Sequence, residues 1–223
     1  MTLSWTERAA DRSPSVQRSR SRSVRQAKAL VDAARRVIGE KGDTFTTQDL
    51  VKEAGVALQT FYRYFGGKDQ LLLAVIEDMI AEATAQYAEL ARDLPDPVSR
   101  LRCYVISAIS AIDTAPDDGL GARFVTSEHW RLQRLFPAEI NVATQPFADL
   151  LAGEIGAAAE AGLLQSADPE RDAWMISRLV MAVFHHYAYT PTAGDAIGED
   201  VWRFCLAALG GAPNIGSGPD DRR

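Results

Sequence analysis

The sequence predicts an all-α protein, and three observations carry that prediction. Apolar residues recur at spacings of three and four along most of the chain. The interruptions fall at glycine or proline, as at Gly42, Gly55 and Leu94-Pro95-Asp96-Pro97. No stretch alternates convincingly between apolar and polar residues, as a half-buried strand would. The predicted architecture is an N-terminal three-helix unit with a helix-turn-helix, followed by a C-terminal helical bundle.

Residues 1–22 are polar and arginine-rich, with Arg8, Arg12, Arg18, Arg20 and Arg22, and are expected to be a disordered basic tail. The first helix follows, with Ala27, Leu30, Val31, Ala34, Val37 and Ile38 on one face and Gly42 as its stop. Thr46-Thr47-Gln48-Asp49 reads as a capping box, with Asp49 where Glu is commoner. Leu50, Val51 and Ala54 then form the inner face of a short helix. Gly55 turns the chain, and Phe61 and Phe65 continue the core along the next one.

A long helix is expected from Lys68 to about Asp93, then further helices from Pro97 to about Ala115 and near 120–135, 138–161, 169–189 and 197–209. The predicted divisions are a tail over 1–22, a helix-turn-helix domain over 23–67, a second domain over 68–210 and a flexible tail over 211–223.

The net charge of −6 conceals an asymmetry. Residues 1–67 hold 12 Lys+Arg against 7 Asp+Glu, whereas residues 68–223 hold 12 against 23. A basic front joined to an acidic body suits a chain whose first part faces phosphates. There is no secretory signal pattern and no apolar run of membrane-spanning length, so a cytoplasmic protein without membrane contact is expected. Cys103 and Cys205 read as isolated thiols of the interior.

Between Thr46 and Leu72 the chain carries its most specific signal. A helix can lie in the major groove only if a second helix braces it across a tight turn. The outer face of the second helix is Leu58, Gln59, Thr60, Tyr62, Arg63 and Tyr64, opposite Phe61 and Phe65. Glutamine can pair bidentately with adenine, and a threonine methyl can touch that of thymine. Tyrosine hydroxyls and the Lys68 ammonium are suited to phosphates, as are Thr46 and Thr47 at the head of the bracing helix. The arginine-rich tail has two readings, an arm reaching the minor groove or a solvated terminus.

These residues resemble the TetR family of bacterial transcriptional regulators. The likeness rests on Thr46-Thr47, Ala54-Gly55-Val56, and above all Thr60-Phe61-Tyr62-Arg63-Tyr64-Phe65 followed by Lys68 and Leu71-Leu72. It covers roughly residues 24–72. It implies a homodimeric repressor of a palindromic double-stranded DNA operator, released by a small molecule bound in the C-terminal domain. It places Gln59, Thr60, Tyr62, Tyr64 and Lys68 at DNA-contacting positions, with Thr47 on the backbone. Three residues depart from the family pattern. Ala57 lacks the usual capping hydroxyl, Gln59 replaces a frequent glycine, and Gly67 stands where a polar cap is usual.

For the effector half, the aromatic and polar candidates are Tyr104, Phe124, His129, Trp130, Phe147, Trp174 and Phe184, and a mainly apolar ligand is expected. Arg123, Glu128, His185 and His186 are further polar candidates. Taken singly, each of these aromatics reads as plain core before ligand contact, and as a group some of them are expected to line a cavity. Dimerisation is expected through the last two helices, by Met175, Leu179, Met181, Val183, Phe184 and Tyr187 and by Trp202, Cys205, Leu206 and Leu209. No catalytic residue, metal site or cofactor is expected, since adjacent His185 and His186 point about 100° apart on a helix. The competing reading is a helical small-molecule carrier or enzyme with no DNA role.

Overall fold

A computed structural model describes residues 13–111, 120–190 and 194–211 of the chain. These contain nine α-helices and no strand. The chain divides into two compact units, Met1–Val75 and Ile76–Arg223. The division lies within a helix, eight residues beyond the expected boundary at 67.

The first unit begins with α1, Pro14–Lys41. Residues 14–22, expected to be disordered, are therefore helical, while residues 1–12 lie outside the described residues. Pro14 at the first turn explains the early start, because proline at that position sacrifices no helical hydrogen bond and has its φ preset. Only the second half of α1 is apolar on one side, and there Leu30, Val31, Ala34, Val37 and Ile38 are buried. A single 3₁₀ turn, Gly42–Thr44, leads to α2, Thr47–Glu53.

The expected capping box is present. Asp49 N–H donates to Thr46 Oγ1 at 3.2 Å, and Thr46 N–H donates to Asp49 Oδ2 at 2.8 Å. Lys41 Nζ adds a 2.6 Å contact to Asp49 Oδ1. The hydrogen bond from Lys41 and those from Thr46 hold the Asp49 carboxyl well below the usual carboxylate range.

The turn after α2 is a Schellman motif. Val56 N–H reaches Val51 O at 3.1 Å and Gly55 N–H reaches Lys52 O at 3.3 Å. Gly55 sits at φ +63, a conformation costly for any residue with a Cβ. The next helix, α3, is Leu58–Tyr64. Its interior side is Phe61, with the following Phe65 also buried and their rings 6.0 Å apart. Phe45, Leu50 and Val51 are buried with them in this unit.

Helix α4, Lys68–Leu90, opens without a polar cap side chain at Gly67. Gln70 Oε1 instead ties down the preceding chain, accepting from Gly66 N–H at 2.7 Å.

The second unit is built from the rest of α4 with α5 (Pro97–Ser110), α6 (Leu120–Leu135), α7 (Pro137–Glu160), α8 (Pro169–Tyr187) and α9 (Gly194–Ala208). Its core gathers Leu101, Tyr104, Val105, Leu151, Ile155, Ile176, Val180, Trp202, Cys205 and Leu206. Trp202, Cys205, Leu206 and Leu209, expected at a dimer interface, are thus spent inside the subunit, because α9 packs on α5. Burial pushes the Cys205 thiol up to about 11. Between α5 and α7, Arg100 Nε donates to both Glu154 oxygens at 3.0 Å, and Tyr104 Oη donates to Oε1 at 3.3 Å.

Helix α3 lacks an N-cap side-chain bond because Ala57 stands there. Ala57→Ser should restore one and raise the unfolding free energy by ~0.5–1 kcal/mol, read by denaturant titration.

Candidate DNA-reading face and ligand region

Helix α3 has seven residues, too few to persist alone. It is held by the buried Phe61 and Phe65 and by the Gly55 turn, and these fix which side faces outward. That outward side carries Leu58, Gln59, Tyr62 and Arg63, all exposed, with Tyr62 56% exposed. Thr60 is half-buried.

Tyr64 is also half-buried, and its hydroxyl donates to Gln26 Oε1 at 2.5 Å. The Arg63 guanidinium lies 5.0 Å from the Tyr64 ring centroid and reaches the same Gln26 oxygen at 3.4 Å. Gln26, on α1, had no signal in the apolar pattern, since it acts through a polar contact across 38 residues.

Lys68 Nζ donates to Phe45 O at 2.9 Å and lies 4.1 Å from the Phe45 ring centroid. Thr46 is exposed and Thr47 half-buried at the head of α2. Arg18, Arg20, Arg22 and Arg25 line the exposed first half of α1. The arrangement is a short polar and aromatic helix presented outward, braced by α2, with basic groups on α1.

In the second unit the expected ligand residues divide. Phe124 and His129 are buried on α6, and Phe184 is half-buried on α8. The His129 and His185 ring centroids are 5.1 Å apart, with Trp130 5.4 Å and Phe184 6.3 Å from His185. His129, Trp130, Phe184 and His185 form one group, with Trp130 58% exposed at its edge.

The others do not join it in the ring contacts. Tyr104 belongs to the core and bonds Glu154. Phe147 meets Tyr87 edge to face at 6.2 Å. Trp174 is exposed beneath Arg178, 5.7 Å from its ring centroid. Glu128 is buried but engaged by Arg131, and Arg123 Nε donates to Ala188 O.

Thr126 and Gln133 escaped the sequence reading. They lie on the same stripe of α6 as His129, and polar residues on an inward stripe were the available signal. Among the described residues no group of three or more His, Cys, Asp or Glu could hold a metal ion, and no helix is long and apolar enough to cross a membrane.

Such a unit, with its brace, Schellman turn and outward-facing second helix, is a helix-turn-helix domain. Residues 30–75 match the model described as bacterial regulatory proteins, tetR family. In this domain the chain is similar to the TetR family.

Among curated relatives, the HTH-type transcriptional regulator BetI of Rhizobium meliloti is 33% identical over 91 residues, covering 40% of this chain and 45% of BetI. The match thus spans less than half the length of that relative. Among solved structures, FadR from Bacillus subtilis in complex with stearoyl-CoA superposes with a TM-score of 0.67 at 18% identity, covering 82% of this chain and 98% of FadR. RolR in complex with resorcinol superposes with a TM-score of 0.65 at 17% identity, covering 86% and 90% of the two chains. At these identities the two structures show a shared fold.

Burial lowers the pKa of both His129 and His185 to about 4, with the His185 charge and then Arg178 adding to the effect on His129. Between about pH 4 and 6.5 the unfolded chain binds these protons and the folded chain does not. Stability is therefore complete above about 6.5 and falls as the pH drops towards 4. Urea titrations should show a loss of ~2–4 kcal/mol over that window, largely abolished in a His129→Leu/His185→Leu variant.

Proposed function

We propose that this chain is a DNA-binding transcriptional regulator, a homodimeric repressor of a palindromic operator that a mainly apolar small molecule releases. The outward face of α3 carries this reading. Gln59 and Tyr62 are exposed side chains with hydrogen-bonding groups, on a helix whose opposite side is anchored by Phe61 and Phe65. Gln59 and Thr60 are assigned to base edges. Thr46, Thr47, Tyr62, Arg63, Tyr64 and Lys68 are assigned to phosphates, with Leu58 in apolar contact at the groove.

Tyr64 and Lys68 already bond Gln26 and Phe45, so their share includes setting the pose of α3. The ligands named for FadR and RolR, stearoyl-CoA and resorcinol, both have apolar parts and support an apolar effector for this fold.

Coupling requires the effector to favour one arrangement of the reading domains over another. Helix α4 begins in the first unit and ends in the second, which makes it the natural transmitting element.

For the dimer we assign the exposed apolar residues Trp174 and Met175 of α8 and Phe204 of α9. This replaces the Trp202–Leu209 stripe, which the core of the subunit uses.

Electrophoretic shifts with promoter DNA from the neighbouring genes test the reader. Gln59→Ala together with Tyr62→Ala should weaken specific binding by at least about tenfold, from a typical ~1–3 kcal/mol per good base contact. Binding equal to wild type would remove the assignment of α3. Trp174→Asp with Phe204→Asp should convert the dimer to monomer in sedimentation equilibrium while helicity by circular dichroism is retained. An unchanged dimer would place the interface elsewhere.

A further inference from the structure

Helix α6 carries Thr126, His129 and Gln133 at spacings of three and four, hence along one stripe. Thr126 Oγ1, both His129 ring nitrogens and Gln133 Oε1 are buried without a hydrogen-bond partner among the described residues. The same holds for both ring nitrogens of His185 on α8, whose ring lies 5.1 Å from that of His129. His129 is 3% exposed and His185 7%.

Each such atom costs about 1–3 kcal/mol when it is left unpaired. A concentration of them on two facing helices is therefore expensive unless something occupies the site. Cores normally satisfy their polar groups, and exceptions cluster at sites of function.

The chemistry of these atoms restricts the occupant. Both imidazoles are neutral at pH 7, because burial disfavours their charged forms. A neutral imidazole offers one N–H donor and one bare nitrogen acceptor. A carboxylate only accepts and would leave the bare nitrogens unpaired. An ammonium group only donates and would leave the N–H groups unpaired.

A hydroxyl group does both, and it can also donate to Gln133 Oε1. The nearby cations are engaged elsewhere, Arg131 on Glu128, Arg123 on the Ala188 carbonyl, and Arg178 of α8, whose charge reaches His129, on Asn141 Oδ1. The half-buried Phe184 ring beside His185 supplies flat apolar surface, with the exposed Trp130 ring at its outer edge.

We propose that Thr126, His129, Gln133 and His185 form the polar end of a ligand site that takes an uncharged, hydroxyl-bearing aromatic molecule of the phenol class. The assignment rests on the reading of this chain as a ligand-responsive regulator and adds the chemical class of its effector.

Calorimetric titration of the full-length protein with phenol, resorcinol, benzoate and zinc chloride tests it, alongside Thr126→Val and His185→Phe. The hydroxylated probes should bind more tightly than benzoate. Each variant should weaken them about five- to tenfold, for loss of one hydrogen bond. The melting temperature of each variant should stay level or rise, since a buried unpaired group has been removed.

Tighter binding of benzoate or of zinc would overturn the proposal, as would variants that bind like wild type. No binding by either hydroxylated probe up to millimolar concentration would also overturn it and leave the site to ordered water. The promoter-DNA shift is run on the same samples. A retained shift without phenol binding rejects this site alone, whereas phenol binding without a shift rejects the regulator and keeps the site.

Discussion

The anchoring of a seven-residue helix by two phenylalanines is the constraint on which the rest of the first unit depends. A helix of that length pays the full cost of nucleation and recovers few hydrogen bonds, so tertiary packing must supply its stability. Phe61 and Phe65 do so, and by being buried they decide which side of α3 remains outside. The Gly55 turn sets where α3 starts, through two backbone hydrogen bonds that satisfy the last carbonyls of α2. The capping box at Thr46 and Asp49 fixes the other end of α2. Gln26 then ties Tyr64 to α1, so α3 is gripped from its core side and from its C-terminal end.

A different logic governs the second unit, where polar groups have been drawn inward. The Arg100–Glu154 pair between α5 and α7 is satisfied, with three atoms of Arg100 and the Tyr104 hydroxyl all engaged. The His129–His185 group is not, although its rings are more deeply buried than that ion pair. One fold thus contains a polar cluster that serves stability and another that detracts from it. Tolerance of the second is the physical reason for treating it as a site.

How far these features could be read from residues alone depended on the range of the interaction. The capping box, the Gly55 turn and the inward phenylalanines are local, confined to a few residues of spacing, and their pattern was plain. The early start of α1 was missed because arginine and serine supply no apolar period. Pro14, which marks that start, is equally at home in a loop. The apolar stripe of α9 was correctly seen as buried surface but wrongly assigned a partner, since periodicity reports that a face is covered and never by what. Here α5 covers it, nearly a hundred residues away at the Arg102–Glu199 contact.

By itself the sequence determined that the chain is helical, where most of its helices stop, and that residues around Thr46–Leu72 make a helix-turn-helix. Those properties follow from short-range backbone chemistry, which spacing records directly. Only the tertiary structure decided that Trp174 stays outside while Trp202 goes in, that Tyr64 is held by Gln26, and that His129 meets His185. Each of these is a choice of neighbour between segments far apart in the chain. Such choices are settled by how helices pack as whole faces, a quantity that no local window of residues contains.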